Sequence, residues 1–135
     1  MSIPPLEKWN EEVLFSYLKL NCYPDLVMSN KQMSRWDCYS PMYKYRIELK
    51  CRKAHYDSLM LEKIKYEAMI EKCKDHGDDP LYINSTPEGV YEFNLNDITP
   101  KWEEMSLSKT TEFENTDKVT KEIAMIPVID AVQLK

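Results

Sequence analysis

The sequence predicts a mixed α/β (α+β) domain built on a central sheet, and three observations carry this. Residues 43–52, YKYRIELKCR, alternate strictly between apolar and polar, the period of two that marks a strand. Residues 5–20 and 57–75 place apolar side chains at spacings of three and four, the period of a helix with one buried stripe. The elements run helix, two strands, helix, two strands, an order that suits a single sheet with helices packed on it. The 135 residues read as one domain, 1–135, with a core over about 5–95 and a C-terminal extension over 96–135. A chain of this size buries roughly two-thirds of its unfolded surface, enough for a core without disulfides or metals.

Each element has its own signals. In the first helix, 5–20, Leu6, Trp9, Val13 and Tyr17 form the stripe. Pro5 suits the first turn, Glu7, Glu11 and Glu12 suit the positive end of the helix, and Asn21 and Pro24 end it. Residues 22–31 connect. Residues 32–40, QMSRWDCYS, alternate moderately, and Ser40-Pro41-Met42 reads as the turn of a hairpin into 43–52. In the second helix, 57–75, Leu59, Met60, Ile64, Ala68 and Ile70 supply the apolar side. Asp57 or Ser58 is the N-cap and Gly77 the C-terminal stop. Strands at 80–84 and 90–95 flank Thr86-Pro87-Glu88-Gly89, which fits a type I turn, with Tyr91, Phe93 and Leu95 on one face. Residues 97–114 show no clear period. Residues 116–125 read as a short helix capped by Asn115 or Thr116, and the tail 127–135 as an edge strand.

Composition excludes several classes of protein. The net charge is -5, from 23 acidic and 18 basic residues, so no global basic field draws the chain to a polyanion, and nucleic-acid binding would need a local patch. No run of 18 apolar residues offers a membrane span. The acidic start, MSIPPLEKWNEE, does not read as an export signal. A cytoplasmic location is expected, with Cys22, Cys38, Cys51 and Cys73 as free thiols. None of the four forms a CxxC pair, so a structural zinc site is not expected. Neither GxxxxGK nor GxGxxG is present.

The charged face of 43–52 holds the chemistry. Lys44, Arg46, Glu48, Lys50 and Arg52 share it, with Glu48 alone among four cations. A solvent-exposed face is the plain reading of such a pattern. Pairing the hairpin with Ser40 opposite Tyr43 puts Asp37 opposite Arg46 and diagonal to Glu48, close enough for two carboxylates to converge on one cation. Glu48 and Lys50, two residues apart, project from one face. Mg²⁺ takes one or two carboxylates and keeps waters and phosphate oxygens. A neighbouring lysine can hold or deprotonate the attacking water, and arginines can grip flanking phosphates. The set suits metal-dependent phosphodiester hydrolysis.

Asp37 followed by Glu48-Leu49-Lys50, in the run RWDCYSPMYKYRIELKCR, resembles the PD-(D/E)XK nuclease superfamily. The segments LEKIKYEAMI and LYINSTPEGVYEFNL are similar to those of its small, single-domain phage-type members. The proline that precedes the family's aspartate is replaced by Trp36. The resemblance implies a restriction-endonuclease-like αβββαβ core and cleavage of DNA in a phage or bacterial cytoplasm. It implies Mg²⁺ or Mn²⁺ held by Asp37, Glu48 and the Leu49 carbonyl, with Lys50 positioning or activating the water. Arg46, Arg52, Lys53, Lys63 and Tyr66 would contact nucleic acid. In the following helix, Glu62 or Lys63 with Tyr66 would face the site, where many relatives carry Gln-x-x-x-Tyr.

Other residues give blander readings. His55 and His76 form no catalytic constellation and suit a loop and a helix end. Trp9, Trp36 and Trp102 suit a core. Lys101, Lys109, Thr110 and Thr111 suit a solvated loop. A non-catalytic nucleic-acid- or protein-binding module on the same fold is the alternative function. A junction resolvase is a weaker reading, because the acidic charge opposes it.

Overall fold

The computed structural model describes residues 3–28, 37–108 and 118–135. A 3₁₀ turn at Leu6–Lys8 precedes helix α1, Glu11–Asn21. The helix starts later than expected because Asn10 caps it, accepting the Val13 amide at 2.9 Å. The break at Trp9–Asn10 also resets the helical period. Leu14 and Leu18 are therefore the buried residues, while Val13 and Tyr17 are half-buried.

Strands β1 (Val27–Met28), β2 (Asp37–Ser40), β3 (Tyr45–Cys51) and β4 (Ser58–Glu62) follow, then helix α2 (Lys63–His76). After it come β5 (Asp79–Thr86), β6 (Gly89–Asn94), β7 (Glu103–Ser108), β8 (Lys118–Pro127) and β9 (Val132–Gln133). Among the described residues the strands form two sheets, not one. The central sheet has the order β1-β2-β3-β5-β6-β9, and the second has the order β4-β8-β7. The central sheet is mixed: β2 pairs antiparallel with β3, β3 runs parallel to β5, and β5 pairs antiparallel with β6. A parallel neighbour needs a crossover, and β4 with α2 provides it.

Two expected helices are corrected. The first part of 57–75 is strand β4, since Leu59 and Leu61 lie opposite Ile126 and Ala124 of β8. Helix α2 then begins at Lys63, with Glu62 at the N-cap making no side-chain capping bond, in place of Asp57 or Ser58. Its inward residues are Met69 and Cys73, while Ile64 is 74% exposed and Ala68 is also exposed. The stretch 116–125 is not a helix either, because 118–127 pairs on both sides as the middle strand β8. Asn115 and Thr116 lie outside the described residues, as do 32–36 of the strand expected over 32–40.

Other expectations agree with the structure. Gly77 ends α2 at φ 70, a left-handed conformation that glycine adopts without strain. The turn at 86–89 joins β5 to β6, and β9 is an edge strand on β6. All four cysteines are free thiols. Among the described residues no helix is long and apolar enough to cross a membrane.

The alternation of β3 sorts the two sides of the central sheet. Ile47 and Leu49, with Leu81, Ile83 and Val90, pack against Leu14 and Leu18 of α1. Tyr82, Tyr91 and Phe93 on the opposite side pack with Leu59, Leu61, Met69 and Ile126 from β4, α2 and β8. The charged face of β3 is thus covered. It lies in the seam between the central sheet and the layer formed by α2 and the second sheet.

Candidate active site

The β2–β3 hairpin sets the site. Ser40 pairs with Tyr45 and Asp37 with Glu48, so the register differs by two residues from the expected pairing of Asp37 with Arg46. A shift of two keeps every residue on its face. It also makes Asp37 the direct partner of Glu48, with Cα atoms roughly 4.5–5.5 Å apart rather than the 7–8 Å of a diagonal pair. The cause is a longer turn, residues 41–44, in which Lys44 takes φ 57. Asp25, distant in sequence, holds this turn. Its carboxylate accepts the Ser40 hydroxyl at 2.7 Å and the Met42 amide at 2.6 Å. The Met42 amide above all keeps the Asp25 carboxyl below its ordinary pKa.

Glu48 is 9% exposed, and its Oε1 lies 4.0 Å from Lys65 Nζ. Lys65 also lies 3.8 Å from Glu62 Oε2, and Glu62 Oε1 accepts Lys121 Nζ at 3.0 Å. Burial alone would raise the Glu62 pKa, but the Lys121 hydrogen bond, with Lys65 and Lys50 nearby, holds it below the usual range. Lys50 follows two residues after Glu48 on the same face. Burial lowers its pKa, and the positive Lys65 and Arg52 lower it further against the pull of Glu11 and Glu62. A lysine pushed toward its neutral form can take or hold a proton.

The remaining expected residues divide clearly. Leu49 is buried on the α1 side, so only its main chain can serve the site. Arg46 pairs with the buried Asp78 at 2.8 Å and lies over the Tyr39 ring. Arg52 donates to Asn84 Oδ1 at 3.0 Å, the Met60 carbonyl at 2.7 Å and Tyr82 at 3.0 Å. Both arginines therefore tie elements together from inside. Lys53 is exposed. Lys63 reaches Glu122 at 3.2 Å, and Tyr66 packs edge-on against Trp102. His55 bonds Thr86 at 2.9 Å, and His76 bonds the Lys72 carbonyl at the helix end. Lys109, Thr110 and Thr111 lie outside the described residues.

Lys65 is the site residue that sequence reasoning missed. Its signal was the spacing Glu62-x-x-Lys65, a pair on one helix face once α2 begins at Lys63.

Among the described residues no group of three or more His, Cys, Asp or Glu side chains is gathered for an ion. The Asp37 side chain lies outside that description, while its register does not. Two carboxylate residues at paired positions, beside the main-chain carbonyl of Leu49, are a hard-oxygen set that fits Mg²⁺ or Mn²⁺.

This arrangement of a mixed central sheet with two helices is the restriction-endonuclease-like fold. The chain is similar in structure to Hjc of Archaeoglobus fulgidus, a Holliday junction resolvase from an archaeal hyperthermophile. The TM-score is 0.55 at 14% sequence identity, over 92% of this chain and 88% of that one. At that identity the likeness shows the fold. No protein-family model matches the sequence, and no curated protein matches it.

Proposed function

We propose that the chain is a metal-dependent nuclease that hydrolyses phosphodiester bonds in DNA. The observation that carries this reading is the pairing of Asp37 with Glu48 in register, with Lys50 two residues on along the same face. Asp37, Glu48 and the Leu49 carbonyl would hold Mg²⁺ or Mn²⁺, which when bound polarises a phosphoryl oxygen and acidifies water. Lys50, its pKa lowered by burial and by Lys65 and Arg52, holds the attacking water and takes its proton. Arg52 fixes β3 to β5 and β4 through its three hydrogen bonds, so the strand that bears Glu48 and Lys50 is rigid when the phosphate arrives. One solved structure of the same fold is a Holliday junction resolvase, which puts four-way DNA beside linear and nicked duplex in the substrate panel.

The test is plasmid nicking and junction cleavage in Mg²⁺ and Mn²⁺, with circular dichroism on the same samples. Lys50→Ala is expected to keep its fold and lose on the order of 10²–10⁴ in rate. A folded Lys50→Ala protein that cuts at the wild-type rate overturns the reading.

A second reading, a non-catalytic binding module, draws on a different observation. Arg46 and Arg52 are both engaged inside the protein, so neither is placed to grip a DNA backbone, and the net charge is -5. DNA binding that needs no metal and survives Glu48→Gln, with no cleavage of any substrate, supports the module instead.

A further inference from the structure

The Lys65 ammonium sits between two carboxylates, 4.0 Å from Glu48 Oε1 and 3.8 Å from Glu62 Oε2. Neither distance is a hydrogen bond. The group is placed as a charge shared by the two acids. Lys121 secures the other oxygen of Glu62 at 3.0 Å, so Glu62 keeps a cation partner when Lys65 leaves. Lys65 itself is one-third exposed at the start of α2, on a long stem that can swing toward solvent. Glu48, by contrast, is fixed in the sheet and 9% exposed. One partner can move and the other cannot.

From this we infer that Lys65 is a resident counter-ion of the site. It neutralises Glu48 in the metal-free protein and is displaced when a divalent cation takes the carboxylate. Two cations cannot share one carboxylate without repelling each other, so Lys65 weakens cation binding and holds α2 against β3 until a cation arrives. Lys65 is a positioning residue in this scheme, and the scheme rests on the metal-dependent reading above.

The experiment is calorimetric titration of Mn²⁺ into wild type, Lys65→Met and Lys65→Arg, without DNA. Methionine keeps the stem and the helix propensity while removing the charge. The expected result is binding on the order of five- to tenfold tighter in Lys65→Met, the effect of one charge at about 4 Å in a partly solvated site, with Lys65→Arg close to wild type. Saturable binding that appears only in Lys65→Met supports the inference as well. Equal or weaker binding in a folded Lys65→Met protein overturns it and leaves the metal site standing. Absence of binding in all three proteins overturns both the counter-ion and the metal-dependent reading.

Discussion

Lys50 carries a conflict between stability and chemistry. Its burial beside Lys65 and Arg52 lowers its pKa from 10.5, so the folded state holds the charged form at a disadvantage. The sign follows from proton counts. Between the lowered folded pKa and 10.5 the unfolded chain binds more protons, so stability rises with pH across that window. Below the window the disadvantage is present in full. Lys50→Met is therefore expected to melt a few degrees higher than wild type at neutral pH while losing cleavage. The gap should narrow as pH climbs toward 10.5, which thermal melts at a series of pH values will show. A variant less stable than wild type at pH 7 would mean that Glu11 and Glu62 outweigh burial at this position. The pairing of acid and lysine was legible in the sequence because Glu48 and Lys50 lie on one strict alternation. Lys65 was not, because its place depends on where α2 begins, and that boundary is set by β8, nearly sixty residues later in the chain.

Among the elements, β3 was readable because its apolar residues share one core cluster, the one that includes Leu14 and Leu18 of α1, and the period of two stays unbroken. Strand β4 was not. Ser58–Glu62 alternates over only five residues and runs into a true helix, so its apolar residues also fit a helical stripe. The pairing of Leu59 and Leu61 with β8 decides the matter, an override of local preference by distant partners. The hairpin register was misjudged for a similar reason: the turn over 41–44 is held by Asp25, which local turn rules do not include. At the other end of the crossover, Gly77 stops α2 at φ 70, and a Cβ placed there would meet nothing within 4 Å. Gly77→Ala is thus a test of backbone strain without steric conflict. Its expected cost is about 1–2 kcal/mol, with Gly77→Asn milder, read from denaturant midpoints at unchanged m-value.

For the whole molecule, the proposed cation would bridge β2 and β3 within the central sheet and release the Lys65 link to its cover. Asp37 and Glu48 belong to β2 and β3, while Lys65 and Glu62 belong to the layer above. A cation that binds only the folded state raises stability by mass action, about 2.7 kcal/mol at a hundred times its dissociation constant. A melting rise of about 8–10 °C is expected for a chain of this size. Differential scanning fluorimetry with Mn²⁺ should show the rise in wild type and not in Glu48→Gln; an equal rise in both would place the cation elsewhere. The -5 charge, visible from composition alone, acts at this scale too. DNA association should weaken less with added salt than that of a basic protein, because salt also screens the repulsion between the acidic chain and the phosphates.

The second sheet also imposes an order in time. Leu59 pairs with Ile126 and Leu61 with Ala124, while β2, β3, α2 and β5 find their partners within the first 86 residues. Long-range pairing is slow because the intervening loop must close before any contact rewards it. During synthesis the floor of the site can assemble while β8 is still absent, leaving the hydrogen-bonding edge of β4 unpaired. The nascent chain is most prone to clump in that interval, and the second sheet forms only when β8 arrives.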